Sequence, residues 1–455
     1  MRTKIITILV LACFFSTNAQ NKKWTLQECI NYAIENNISI KQQELSKALI
    51  KEDITTAKGS FLPSLSASAS QNFNFGSYID NYGGRVSRDS RSNSFGISSG
   101  VTLYNGNINK INLLQTQKSL EAAGFDLEEN KNSIMLFVVN SYLNVLLNKE
   151  SIVIAEDQIL ISKSQVEKTQ ALVNAGEVPR ANLLEAEATL ATNEQQLTTA
   201  QNTLDLALLN LAQLLQVSHK GFDIESVTLN IDSASLVYND TDAIFNTALA
   251  SLPEIKSAEI AVENSELSVD RAKAGFLPSL SFGAGVGTSY QHNQGSKDVR
   301  AILDENNNVV YVPNGFGQQL EDNLGFNAGF SLSIPIFNKF QTKTAVAKAE
   351  INQQRTELAL LDKQIKLRET IEQAYADAKA ALNQYISAEK SLYAQNESFK
   401  NAQESYNAGV MTSFDFDQVR NRLVSAQSSM ANAKYNFVFR TKLLEYYLGI
   451  PIVLN

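Results

Sequence analysis

Few side chains in this chain are placed to do chemistry. His219 and His292 are the only histidines, and neither has an acidic cluster at metal-ligand spacing beside it. This argues against a zinc site and against a histidine-dependent catalytic triad. The sequence also lacks a glycine-rich phosphate-binding loop. We therefore predict no metal site and no cofactor, and an enzyme is left only as the hypothesis that a carboxylate pair assembles in three dimensions.

The remaining candidates are acids that follow a glycine turn. Asp415 and Asp417 come shortly after Asn407-Ala408-Gly409, at the expected start of a helix. A glycine at a helix end can adopt the left-handed conformation that closes the helix. Acids in the first turn of the next helix then interact favourably with its dipole. The simplest interpretation of this segment is a helical hairpin.

Composition and charge exclude one class of partner. The net charge is −8, the pI is about 5.1 and no basic stripe offsets the acids, which argues against nucleic-acid binding. Apolar residues make up 44 % of the chain, as in packed proteins.

The first 19 residues resemble a secretory signal peptide. A basic start precedes an apolar run over residues 5–15, and small residues lead to a cleavage site after Ala19. A rival interpretation places a lipid-attachment site at Cys13, with a shorter apolar core. Either hypothesis predicts export, and either leaves Cys29 without an internal disulfide partner.

The sequence contains an internal duplication. Ala57–Ser66 returns as Ala272–Ser281 at an offset of roughly 215 residues, whereas Asn174-Ala175-Gly176 returns as Asn407-Ala408-Gly409 at roughly 233. An insertion in the second copy, in the polar stretch 291–323, accounts for the difference. We predict the following divisions: a signal peptide over 1–19, a first repeat over 20–217, a linker over 218–242, a second repeat over 243–448 and a tail over 449–455.

Each repeat contains two segments of strand-like alternation. Apolar residues alternate with Ser, Gly and Asn over residues 64–75, 94–104, 279–289 and 324–336. Strands of this length could cross an outer membrane, although a soluble sandwich alternates as well. Four strands cannot close a membrane barrel, because known barrels begin at about eight. If the strands lie in a membrane, the chain must therefore oligomerise.

The rest of the chain has the spacing of long helices. Leu183, Leu190 and Leu197 begin a seven-residue repeat in the first copy, and Phe416 and Leu423 begin its counterpart in the second. We predict long helices over 106–175 and 339–408, and shorter ones over 25–58, 178–217, 241–274 and 410–448. Antiparallel coiled-coil hairpins follow from this pattern, and a zipper dimer is the alternative.

Short motifs at the element junctions point to a family. They are Trp24–Ile30 with Asn36-Asn37, Phe61-Leu62-Pro63 and Phe276-Leu277-Pro278 before strands, Leu103–Gly106 and Ile336-Phe337-Asn338 after strands, and the two Ala-Gly turns. Over its whole mature length the chain resembles the TolC-like outer-membrane efflux family.

The resemblance implies a mainly α fold with a small β part. Long coiled-coil helices would form an α-barrel tunnel, and four strands per protomer would contribute to a shared transmembrane β-barrel in a homotrimer. It implies a passive exit duct in a Gram-negative outer membrane, serving a tripartite efflux pump or a type I secretion system. The implied partners are outer-membrane lipid, a periplasmic adaptor and an inner-membrane pump of RND or ABC type. The alternative is a periplasmic or surface coiled-coil scaffold without a pore.

The resemblance also implies two sets of site residues. The periplasmic gate would comprise Asp415, with Gln418 where relatives carry a second acid, and the neighbouring Asp417 and Glu185. The adaptor-contacting tips would comprise Gly176, Val178, Pro179, Gly409, Met411 and Thr412. The cargo is not specified, because a wide water-filled tunnel selects weakly.

Overall fold

A computed structural model describes residues 23–79, 81–87, 89–227 and 240–452. The predicted signal peptide, the alternative lipid site at Cys13 and most of the predicted linker lie outside these ranges. The described helices are α1 (Leu26–Asn36), α2 (Ile38–Gly59), α3 (Ile108–Asn174), α4 (Arg180–Leu215), α5 (Thr241–Ser251), α6 (Pro253–Lys273), α7 (Phe316–Asp322), α8 (Gln341–Asn407) and α9 (Ser413–Tyr447). None of them is long and apolar enough to cross a membrane.

The described strands fall into one principal sheet and three two-stranded ones. The strands are β1 (Lys23–Trp24), β2 (Ser64–Asn74), β3 (Ser77–Ile79), β4 (Arg85–Ser87), β5 (Ser90–Asn105), β6 (Asp223–Ile224), β7 (Ser279–Asn293), β8 (Val299–Leu303), β9 (Val309–Pro313) and β10 (Gly325–Ser333). The principal sheet is antiparallel in the order β10-β7-β5-β2. The four predicted strands therefore form a single sheet, and β2 and β10 are its edges.

Two predicted helices are each broken in two. The helix expected over 25–58 is interrupted at Asn37, which is extended (φ −61°, ψ 130°) and accepts a hydrogen bond from Ser39 N at 2.8 Å. The helix expected over 241–274 is interrupted at Leu252, also extended, because the ring of Pro253 disfavours a helical residue before it. The two breaks occupy equivalent places in the two copies.

The strand bounds also differ from the prediction. The strand expected over 94–104 starts at Ser90, and the one expected over 279–289 continues to Asn293. The two pair directly in this extension, for example Arg91 with His292, so backbone hydrogen bonds maintain the strands after the alternation has ended. The strand expected over 324–336 is shorter and ends at Ser333, two residues before Pro335, which lacks an amide donor.

The described residues form two compact units, each drawn from both repeats. The helical unit comprises residues up to 46, 122–259 and those from 359 onward, and the sheet unit comprises 47–121 and 260–358. The division of the chain into repeats and linker stays a prediction.

The core of the helical unit is centred on Tyr142, which is fully buried. Its hydroxyl donates to the carbonyl oxygens of Glu225 (2.9 Å) and Trp24 (3.3 Å), beside the parallel pair β1–β6. A second apolar cluster surrounds Ile371 and Leu444. The cluster around Tyr142 combines residues from both halves of the chain, whereas the second cluster is formed by the second half alone.

In the sheet unit, Gly106 lies where the sheet meets the helices. Its φ is +66°, and a Cβ added there would lie 2.8 Å from the carbonyl oxygen of Ala274. Both the backbone conformation and the close approach require glycine at this position.

Candidate functional site: the hairpin tips and the polar cluster beside them

The two predicted hairpin tips have the same backbone structure. Gly176 and Gly409 have φ of +76° and +77°, so both lie in the left-handed region. In the first tip Gly176 N donates to Val173 O and Glu177 N donates to Leu172 O, both at 3.0 Å. This pattern is the Schellman motif, and the second tip repeats it. The prediction that glycine closes each helix is confirmed.

Asp415 lies in the first turn of α9 and takes part in its capping. Thr412 is the N-cap: its side-chain oxygen accepts from Asp415 N at 3.2 Å, and its hydroxyl donates to Asp415 Oδ2 at 2.7 Å. Asp415 is exposed, as is Gln418 three residues later. The two therefore share one outward side of the helix.

Asp417 and Arg420 lie on a different side of α9 and are turned inward. The exposed fraction of Arg420 is only 2 %, although the residue carries a charge. Its Nη2 lies 3.1 Å from Asp417 Oδ1. The contact is an ion pair outside hydrogen-bond geometry, since Oδ1 has no hydrogen-bond donor and Arg420 Nε has no acceptor.

Three neutral side chains from the first repeat complete the surroundings of Arg420. Its Nη1 donates to Ser162 Oγ at 3.3 Å and lies 3.5 Å from Gln165 Oε1. Asn193 Nδ2 donates to Ser162 Oγ at 2.5 Å. Ser162, Gln165, Asn193, Asp417 and Arg420 are called the tip cluster below. It joins α3, α4 and α9 through buried polar contacts.

The electrostatics of the tip cluster are dominated by desolvation. Burial raises the pKa of Asp417 above its ordinary value, the nearby Arg420 opposes this, and the negative charge of Glu185 adds to the rise. Burial likewise lowers the pKa of Arg420, and Asp417 opposes that shift. Each residue therefore stabilises the charged form of the other against the cost of burial.

A second contact joins the two hairpins closer to the tips. Lys168 Nζ, near the end of α3, donates to Tyr406 O at 3.1 Å and to Asn407 Oδ1 at 3.3 Å, at the end of α8. The same ammonium group lies 4.3 Å from the centre of the Tyr406 ring. On α9, Phe416 stacks on that ring with a centroid separation of 4.7 Å. A cation at the carboxyl end of a helix also interacts favourably with its dipole.

The predicted gate residues thus separate into two groups. Asp415 and Gln418 are exposed, whereas Asp417 is half-buried against Arg420 and is close enough to the exposed Glu185 to be influenced by its charge. Of the predicted adaptor contacts, Gly176, Pro179, Gly409 and Thr412 are exposed, and Val178 and Met411 are partly buried. The roles assigned to these residues stay predictions.

Sequence reasoning missed several residues of this region. Arg420 follows Phe416 by four positions and precedes Leu423 by three, so the heptad pattern already places it on the buried face. Val410 and Phe414, exposed to 83 % and 63 %, are the most exposed large apolar side chains of the second tip. The available signal was that Val410 directly follows Gly409 and that Phe414 lies at the start of the next helix. Within the described ranges, the structure contains no cluster of His, Cys, Asp and Glu able to hold a metal ion.

Comparison with known proteins agrees with this architecture. The profile of the outer membrane efflux protein family matches residues 29–216 and 244–449, and the chain belongs to that family. The outer membrane protein TolC of Escherichia coli strain K12 is 22 % identical over 452 residues, covering 98 % of this chain and 86 % of TolC.

Two further proteins show the range of the similarity. The alkaline protease secretion protein AprF of Pseudomonas aeruginosa is 24 % identical, and the match covers 70 % of this chain but only 61 % of AprF. The crystal structure of the outer membrane protein VceC of Vibrio cholerae superimposes with a TM-score of 0.74 at 15 % identity, covering 93 % of this chain and 96 % of VceC. The match to VceC shows the fold.

Proposed function

We propose that three copies of this chain form a passive exit duct across the outer membrane. The observation that carries the proposal is the open sheet. Strands β2 and β10 each have one side without a partner strand in the described chain, and an unpaired strand edge is not tolerated in lipid. Pairing β10 of one copy with β2 of the next in a trimer would give twelve strands, within the range of known membrane barrels.

The two faces of the sheet support this arrangement. Phe326, Phe330 and Leu332 of β10 lie on one face and are exposed to 79 %, 72 % and 61 %. The other face carries small polar residues, and Ser66 Oγ and Ser98 Oγ hydrogen-bond across it at 3.0 Å. An apolar face toward lipid and a small polar face toward water is the pattern of membrane barrels.

The gate of this duct is proposed to use Asp415 together with Gln418. Both are exposed on the same side of α9, so both are free to meet their counterparts from other copies. Asp417 is proposed to stabilise the packing within each protomer through its ion pair with Arg420. This differs from the expectation that Asp417 contributes directly to the opening, whereas Glu185 is exposed and stays a candidate.

The tips are proposed to contact a periplasmic adaptor, and through it an inner-membrane pump. Val410 and Phe414 extend the predicted contact set with two exposed apolar side chains beside Gly409. Exposed apolar groups on a turn are typical of interaction sites. AprF is named for protease secretion and another relative, CusC, for cation efflux, so the class of pump and cargo stays open.

Cysteine pairs across the proposed β10–β2 seam test the assembly. We expect a scan that places one cysteine at odd positions of β2 and one at even positions of β10, which share the apolar face of the sheet, to yield oxidised species of three chains. The same protein should conduct ions in a planar bilayer. A matched scan that pairs β5 with β7 should cross-link only within one chain. Extraction as a monomer that never conducts would overturn the proposal and would favour a scaffold without a pore.

A further inference from the structure

The stretch between β7 and β10, where the sequence indicated an insertion, is an ordered substructure at the end of the sheet away from the helices. It consists of the hairpin β8–β9 followed by α7, and is called the insert below. Arg300 Nη1 in β8 forms an ion pair with both carboxylate oxygens of Asp322 at the end of α7, at 2.9 and 2.7 Å. The hairpin and the helix are therefore fixed to each other.

Three separate contacts fix the insert to β7. Gln319 Oε1 accepts from Gln291 N at 3.0 Å, and its Nε2 donates back to Gln291 O at 3.1 Å, so this side chain pairs like a strand residue. His292 Nδ1 lies 2.9 Å from Asp298, and Thr288 Oγ1 donates to Leu320 O at 2.6 Å. Together these contacts hold the base of the insert firmly against β7.

The insert lies on the apolar face of the sheet. Phe316 of α7 packs edge-on against Phe95 and Tyr290, with ring centroids 6.5 and 5.0 Å away. Phe95 is paired with Thr288, so these residues share the face that carries Phe282 and Val286 farther along β7. Helix α7 therefore packs on the face of the sheet opposite the small polar one.

The hairpin presents its own apolar face to the surroundings. Arg300 points toward α7, so the residues on the other face point away from it. All six residues of that outer face are exposed: Val299, Ala301, Leu303, Val309, Tyr311 and Pro313. The turn at its end is polar, and Asp304 Oδ1 accepts from Asn306 N and Asn308 N at 2.9 and 2.8 Å.

We propose that this outer face of the β8–β9 hairpin rests in the outer leaflet of the membrane, at the boundary between headgroups and acyl chains. The insert is continuous with the apolar sheet face, which faces lipid in an outer membrane protein of this family. It also packs on β5 and β7, the central strands, whereas a neighbouring copy would join at β2 or β10. Lipid is therefore the occupant that the position of the insert favours. An apolar surface with an aromatic residue and a polar rim suits that boundary.

Depth-dependent fluorescence quenching tests the proposal. Trp24 is the only tryptophan, so a Trp24→Phe background allows a single reporter to be placed at Tyr311→Trp. The trimeric protein is reconstituted in phosphatidylethanolamine–phosphatidylglycerol vesicles containing phosphatidylcholine brominated near its headgroup. We expect Tyr311→Trp to lose most of its emission, and Asn306→Trp at the polar turn to lose little.

Phe326→Trp on the exposed apolar face of β10 separates this inference from the proposed channel. Quenching at Phe326→Trp but not at Tyr311→Trp would overturn the lipid contact and leave the channel standing. If neither is quenched, the membrane position of the sheet itself fails. Quenching of Tyr311→Trp by aqueous iodide as strong as that of Asn306→Trp would show that the hairpin is in water. Disulfide-linked dimers of a Leu303→Cys variant would show that a second copy covers it, and either result overturns the proposal.

Discussion

Removing Arg420 should destabilise the tip region of the helical unit far more than removing the whole Asp417–Arg420 pair. In the Arg420→Leu variant the Asp417 carboxylate stays half-buried but loses the cation 3.1 Å away. Ser162 Oγ and Gln165 Oε1 lose a partner as well. The double variant Asp417→Leu/Arg420→Leu removes both charges and leaves only neutral groups to be satisfied.

The expected magnitudes follow from the burial of the pair. The Arg420 side chain is 3 % exposed and that of Asp417 21 %, so solvent screens their interaction little. Breaking a buried pair by removing one partner costs about 3–5 kcal/mol, which corresponds to at least a ~100-fold rise in local opening. Replacing both charges with apolar residues is typically neutral or stabilising by about 1–4 kcal/mol.

Hydrogen exchange of the segments around residues 160–170 and 413–424 is the appropriate measurement, because a large assembly does not unfold in two states. Exchange in the core around Tyr142 serves as the internal control and should be unchanged in both variants. If Arg420→Leu and the double variant accelerate exchange equally, the effect is lost packing rather than an unpaired charge. The reasoning would then be refuted.

Three further outcomes are expected. Burial raises the folded-state pKa of Asp417 above its unfolded value, so protonation stabilises the folded tips. Protection factors of the tip amides, corrected for the intrinsic pH dependence of exchange, should therefore rise as the pH falls through that raised pKa, and Asp417→Asn should remove this rise. Gly106→Ala should destabilise the protein more than Gly176→Ala in thermal unfolding: both impose about 1–2 kcal/mol of left-handed strain, but only the former brings a Cβ against a carbonyl. Lys168→Met removes a contact between the two hairpins that is worth about 1 kcal/mol, so this variant should speed proteolysis at the tips and raise single-channel conductance. The control Lys163→Met changes an exposed position on the same helix and should alter neither property.

The elements of the fold were predictable because their signals are local. The alternation of Leu65, Ala67 and Ala69 identifies β2 without knowledge of its neighbour, and the heptads identify α4 and α9 in the same way. The predicted ends of strands and helices were wrong where a contact with another part of the chain determines them. Ser90–Asn93 show no clear alternation, yet they are strand because β7 pairs with them. The interruption at Asn37 depends on a side-chain cap that no apolar period reveals.

The tip cluster was harder to predict, because its members come from distant parts of the chain. Arg420 is charged and could have been assigned to solvent, but Ser162 and Gln165 from the first repeat accept its hydrogen bonds. Asn193, a polar residue inside a leucine seam, and Arg420, a charged one on the buried face of the heptad pattern, were visible only as irregularities of the apolar pattern. A polar residue on an apolar helical face predicts a buried partner somewhere, but its identity depends on how the hairpins pack.

The position of Asp417 has a consequence for the proposed gate. An acid directed inward and paired with Arg420 contributes almost no field to an opening between protomers, since the two charges nearly cancel at a distance. In the proposed trimer each chain would then supply the Asp415 carboxylate to the gate beside the neutral Gln418, without a contribution from Asp417. That carboxylate already accepts a hydrogen bond from Thr412 and lies exposed to water, where its field is screened within about 10 Å. The duct is therefore expected to bind cations at its entrance only weakly, and the charge pair stabilises the packing of each protomer instead.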